Sequence, residues 1–165
     1  MSRRQCGSCT ACCEGWIKAT INGVTLSPYK PCVHRTDKGC KIYEDRPARP
    51  CVSFKCGWLT DNSVLPDNMS PQECGAIILF DHKWRDDNYI DAQPIVVALP
   101  IGTKIPNSTL KWLMNFSGKN RIPLRWYENI IENGKFIRTK QFSHGPPAFV
   151  GASKNVTTNE EIFML

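Results

Sequence analysis

Apolar positions are spread unevenly along this chain. Within residues 1–60 the large aliphatic side chains are Ile17, Ile21, Val24, Leu26, Val33, Ile42, Val52 and Leu59, set singly among polar residues, glycines and prolines. At about 25 cal/mol per Å² of buried apolar area, so few side chains cannot hold sixty irregular residues by burial alone. Beyond residue 75 the pattern changes. Ala76-Ile77-Ile78-Leu79-Phe80 and Pro94-Ile95-Val96-Val97-Ala98-Leu99 are short apolar runs rich in β-branched residues, as strands with buried faces require. A further strand is expected over Trp84 to Ile90, interrupted by Asp86-Asp87-Asn88. Asn107-Ser108 precedes Leu110, Leu113, Met114 and Phe116 at helical spacing, with Gly118 after them, which predicts a capped helix that stops there. Ile122 to Ile131 and Lys135 to Phe142 flank Asn133-Gly134, a strong hairpin signal, and Asn22-Gly23 marks a second, smaller one. Val156 to Leu165 reads as a tail or a late edge strand. The fold class expected is α+β, with an irregular first portion packed on a small antiparallel sheet with one main helix.

The cysteines supply what the aliphatic residues of the first portion lack. Eight of the nine lie at Cys6, Cys9, Cys12, Cys13, Cys32, Cys40, Cys51 and Cys56; the ninth is Cys74. Two-residue gaps, as in Cys6-Gly7-Ser8-Cys9-Thr10-Ala11-Cys12-Cys13, let a turning chain bring successive sulfurs onto one small object at roughly 2.3 Å each. A metal-stapled module over residues 1–75 is therefore expected, followed by a sheet region over 76–165 that forms one compact unit with it. The C-x2-C-x2-C spacing is close to the arrangement that takes three irons of a [4Fe–4S] cube, with Cys51 or Cys56 able to close the site. Two tetrahedral zinc sites would equally use all eight sulfurs without remainder. Consecutive side chains leave the backbone in different directions, so Cys12 and Cys13 can serve two different sites.

Charge and the N-terminus refine this picture. The net charge is +6, and residues 1–60 carry all of it, with ten Lys/Arg against four Asp/Glu, while the rest of the chain is balanced. Ligation needs deprotonated thiols, so the basic excess reads as counter-charge to thiolates ahead of a nucleic-acid footprint. No apolar run reaches the ~18 residues of a membrane span, and Met1-Ser2-Arg3-Arg4-Gln5 has no apolar signal stretch. A cytoplasmic location is expected, where reducing conditions disfavour disulfides; nine thiols would also leave one unpaired.

The residues Cys6-x2-Cys9-x2-Cys12-Cys13, Cys32, Cys40-Lys-Ile-Tyr43-Glu-Asp-Arg46-Pro47 and Cys51-Val-Ser-Phe54-Lys-Cys56 resemble the CxxCxxCC cysteine-cluster family, the YkgJ-type zinc- or iron-chelating domain. Trp58-Leu59 and Leu65-Pro66-Asp67 with Pro71 are similar to a subset of it. The resemblance implies that the eight cysteines are chelators. Flagellin lysine methylases are similar over the cluster motif, which implies a cluster-dependent modifying enzyme as an alternative. A zinc module on nucleic acid is a third reading. The favoured one is a metal-binding protein with a structural, redox or carrier role for a protein partner. His34 is a candidate substitute ligand, Tyr43, Arg46 and Arg49 are candidate hydrogen-bond donors to the sulfurs, and His82 and His144 stand alone. The five tryptophans are scattered over different elements and read as core or as a lid over the site. No G-x-G-x-x-G, no phosphate-binding loop and no C-x3-C-x2-C spacing occurs, so nucleotide and radical chemistry have no motif to rest on.

Overall fold

In the computed structural model, which describes residues 4–85 and 88–154, two strands carry the centre of the molecule. They lie in a four-stranded sheet. Numbered in chain order after four short strands of the cysteine-rich portion, its members are β5 (Ala76–Trp84), β6 (Gln93–Pro100), β7 (Leu124–Glu132) and β8 (Lys135–His144), in that spatial order. Along β5 and β6 successive residues are buried on opposite faces. Ile77, Leu79, Ile95, Val97 and Leu99 join one core with Ala11, Ile17, Cys56 and Phe149, while Ala76, Ile78, Val96 and Ala98 join another with Leu65, Met69, Ile105 and Leu113. Burial on both sides explains why these strands read as continuous apolar runs instead of alternating ones.

One face is covered by helix α2 (Asn107–Asn120), the other by the cysteine-rich portion together with helix α3 (Pro147–Lys154). Phe149 of α3 is fully buried and meets Trp84 edge-on at 5.1 Å between ring centroids. The preceding one-turn helix α1 (Pro71–Cys74) ends on Gly75 in the left-handed region and delivers the chain into β5.

The sheet is mixed, which corrects the antiparallel expectation. β5 pairs antiparallel with β6 and β7 with β8, but β6 and β7 run parallel in the register Val96↔Leu124, Val97↔Arg125 and Ala98↔Trp126. The cause is α2: a helix crossing over a sheet between two neighbouring strands returns the chain in the same direction. The expected strand over Trp84 to Ile90 is also replaced. Trp84 closes β5, Asn88 to Ile90 are turn and bend, and Asp86 and Asp87 lie outside the described residues. A bulge between Leu79 and His82 shifts the β5–β6 register by one residue.

The predicted helix forms but runs past Gly118 to Asn120, with Arg121 taking the left-handed cap at φ 53°. Gly118 is exposed there and costs only its weak helix propensity, which two buried positions, Leu113 and Ser117, override. Asn107 sits inside the helix rather than at its cap. Both Asn-Gly hairpins form. Asn133 and Gly134 take φ 51° and 71° between β7 and β8, and Asn22 and Gly23 take 49° and 79° between β1 (Thr20–Ile21) and β2 (Val24–Thr25). The second short pair is β3 (Arg35–Thr36) with β4 (Gly39–Cys40). Among the described residues no helix is long and apolar enough to cross a membrane. The expected tail over Val156 to Leu165 lies outside the described residues.

Leu113 is 1 % exposed on the α2 face. Leu113→Ala leaves a cavity between helix and sheet and is expected to cost about 2–5 kcal/mol, read as a lowered urea midpoint at unchanged slope.

Candidate metal centre

The first cysteines are gathered by consecutive turns. The Cys9 N–H donates to the Cys6 carbonyl at 2.8 Å, Glu14 to Thr10 at 2.9 Å and Gly15 to Cys12 at 3.2 Å. Gly15 has φ 87°, and a Cβ there would run into the Ser27 carbonyl, so the turn that carries Cys12 and Cys13 lies hard against the segment following β2. The later cysteines come to these turns along the backbone. The Cys32 N–H donates to the Cys13 carbonyl at 2.8 Å, Arg35 donates to the Cys32 carbonyl at 3.0 Å, and Arg35 pairs with Cys40 across β3 and β4. A helical turn over Ala48–Val52, kinked at Arg49, then brings Cys51 back. Cys56 is fixed from the sheet side, because the next residue, Gly57, donates to the Ile78 carbonyl of β5 at 2.6 Å.

Seven of the eight predicted cysteines line one cavity of about 80 Å³: Cys6, Cys9, Cys12, Cys13, Cys32, Cys40 and Cys51, with His34, Tyr43 and Arg46 beside them. Cys56 lies behind this wall, 4 % exposed, in the core that Cys9 and Cys12 also touch. Cys32 is 9 % exposed and lies with Ala19, Ile21 and Leu26 in a separate small core against which Cys13 and Cys51 pack. The neighbouring residues Cys12 and Cys13 therefore belong to different cores. Their electrostatic neighbours divide in nearly the same way. Burial raises the Cys12 thiol well above its usual range, with Cys56 and Cys9 next in effect, whereas burial and then Cys32, Cys40 and Cys51 push the Cys13 thiol up to about 12. All nine cysteines are free thiols. Among the described residues no three Cys, His, Asp or Glu side chains are drawn together closely enough to hold an ion as they stand.

Two charged residues organise the surroundings. Glu14 was not singled out by the sequence, yet its carboxylate accepts hydrogen bonds from Thr10 Oγ1 at 2.7 Å, Trp16 Nε1 at 2.9 Å and Arg35 at 3.1 Å, tying the cysteine turns to β3. Its partial burial favours the neutral form, but these three donors outweigh that and hold the carboxyl below its ordinary value of 4.5. Thr10 and Glu14 at a four-residue separation were the available sequence signal. Arg46 donates through Nε to the Tyr43 carbonyl at 2.7 Å, and its guanidinium lies 3.6 Å over the Tyr43 ring. Burial and the neighbouring Cys9 raise the Cys6 thiol; Arg46 opposes this by charge and by a hydrogen bond.

The other candidates fall elsewhere. Arg49 is exposed, and His82 on β5 is paired with Asp81 at 2.8 Å. His144 ends β8, exposed. Cys74 is buried on the α2 side, with its sulfur against the Met69 and Ala76 carbonyls at 3.5 and 3.3 Å, and burial pushes its thiol up to about 11. Trp16 and Trp58 pack on the core beside the cysteines, Trp112 stacks on Phe116 and Trp126 on Phe142, so the tryptophans form no common platform.

No family model matches the chain, and neither does any curated protein or solved structure. What fold and site define is a mixed α/β protein with eight thiols gathered in and behind a cysteine-lined cavity.

Because the folded-state pKa of Glu14 is depressed, its contribution to stability is present above pH 4.5 and is lost as pH falls through the lower folded value. Urea midpoints of the protein and of Glu14→Gln are accordingly expected to differ near neutral pH and to converge in acid.

Proposed function

We propose that the chain is a metal-binding protein that holds zinc or iron–sulfur clusters in two tetrathiolate sites, Cys6, Cys9, Cys12 and Cys56 in one and Cys13, Cys32, Cys40 and Cys51 in the other. The observation that carries this reading is the division of Cys12 and Cys13 between two separate cores. Cys6 joins the first group through its turn with Cys9, and Cys40 joins the second through Arg35 and Cys32. Four sulfurs per group match the number of thiolates that a structural zinc or a cubane cluster takes.

The chemistry of the donors supports the same reading. Burying this many thiols beside one another raises their pKa values, so each group resists ionisation unless a cation compensates it. When bound, zinc supplies a closed crosslink and an iron–sulfur cluster supplies one-electron transfer. The residues of the chain do the rest. Glu14 and Arg35 fix the turn between the groups, Arg46 places positive charge beside Cys6, and the sheet anchors Cys56 through Gly57. Ligation by deprotonated sulfur releases protons, so retention weakens as pH falls. The reading includes a structural, redox or carrier role for a protein partner in a reducing compartment such as the cytoplasm, where disulfides are disfavoured.

Metal analysis of protein purified without oxygen, with its visible absorbance, decides between zinc and iron. Cys12→Ser and Cys13→Ser, though adjacent, are each expected to lose about half the metal, and the double variant all of it. A metal-free protein, or a second substitution that removes nothing further, overturns the reading.

A further inference from the structure

One thiol from each proposed group lines a second cavity. This cavity, of about 280 Å³, adjoins the first and has four of its lining residues in common with it: Cys6, Tyr43, Arg46 and Cys51. Its outer wall includes Val52, which is 51 % exposed, and the exposed Lys55 and Glu44, so it opens to solvent. Cys6 comes from one group and Cys51 from the other. Cys56 and Cys32, by contrast, are buried in the two cores and do not line it.

Arg46 stands at the junction. Its side chain is held by the Tyr43 carbonyl and ring, and its positive charge favours the thiolate forms of both Cys6 and Cys51. The other cations of the outer cavity have carboxylate partners, Arg4 with Asp67 at 2.7 Å and Lys55 with Asp61 at 3.4 Å. Among the described residues no carboxylate pairs with Arg46. A guanidinium with no carboxylate of its own, lining a solvent-open cavity beside Cys6 and Cys51, offers a fork of donors that suits an incoming carboxylate or thiolate.

We propose that the outer cavity admits a small anionic chelator, carrying carboxylate or thiolate donors, to Cys6 and Cys51, and that these two are the exchange positions of the two sites while Arg46 positions the incoming anion. An incoming donor replaces one cysteine sulfur at a time. In a loaded site the metal's bond to Cys6 or Cys51 would break as its bond to the incoming donor formed, with no electron gained or lost, and the freed thiolate would take a proton from water, leaving hydroxide to the buffer. This rests on the tetrathiolate reading above; access of anions to the two sulfurs does not.

The test uses the full chain as isolated and a carboxylate chelator beside a neutral one, each with metal release followed over time. The anionic-to-neutral rate ratio is expected to fall about threefold or more in Arg46→Gln and to be largely kept in Arg46→Lys. Val52→Trp, a substitution at an exposed position, is expected to slow both chelators without changing the metal content. Iodoacetate added during release, followed by peptide mass mapping, is expected to mark Cys6 and Cys51 first. Unchanged rate ratios in Arg46→Gln, or first labelling at Cys32, Cys40 or Cys56, overturn the proposal. Should the chain as isolated hold no metal, the tetrathiolate reading and the exchange role fall together; the iodoacetate map then tests only access to Cys6 and Cys51.

Discussion

Two neighbouring strands that are apolar on both sides must be covered on both sides, and the rest of the molecule follows from that requirement. β5 and β6 send Ile78, Val96 and Ala98 toward α2 and Ile77, Val97 and Leu99 the other way. At roughly 25 cal/mol per Å² either face left open would cost several kcal/mol. The second face is met by Ala11, Ile17 and Cys56 of the cysteine-rich portion and by Phe149 of α3. A segment with too few aliphatic side chains to build its own core therefore borrows part of one from the sheet.

That borrowing has a chemical consequence. Docking against the sheet buries Cys56 and partly buries Cys12, while the small core of Ala19, Ile21 and Leu26 buries Cys32 next to Cys13. Thiols in such surroundings are pushed toward the neutral form, and each further thiol nearby pushes in the same direction. Arg46, beside Cys6 and Cys51, pushes both the other way. Glu14 ties the cysteine turns to β3 through an ion pair with Arg35 at 3.1 Å that is only partly exposed.

Much of the local structure was legible in the sequence because its causes are local. Asn-Gly at 22–23 and 133–134 tolerates positive φ, so both hairpins form where expected. The β-branched runs become β5 and β6, and the 3/4 spacing of Leu110, Leu113 and Met114 becomes α2. Errors arose where a local signal competed with a distant one. Gly118 reads as a stop, yet burial of Ser117 and its Oγ bond to the Ile122 carbonyl at 2.6 Å carry the helix on. α3 has only eight residues, too short for a clear period, and it is held by burial of Phe149 against Trp84.

By itself the sequence determined that turns gather Cys6, Cys9, Cys12 and Cys13 and that strands and one long helix follow, since backbone preference and spacing act over a few residues. Tertiary structure alone decided that β6 and β7 run parallel, that Cys74 faces α2 away from the other thiols, and which core each of Cys12 and Cys13 packs against. Each of those outcomes depends on which surface a side chain is buried against. Cys56, for one, is fixed by a hydrogen bond from its neighbour Gly57 to Ile78, twenty-one positions further along the chain.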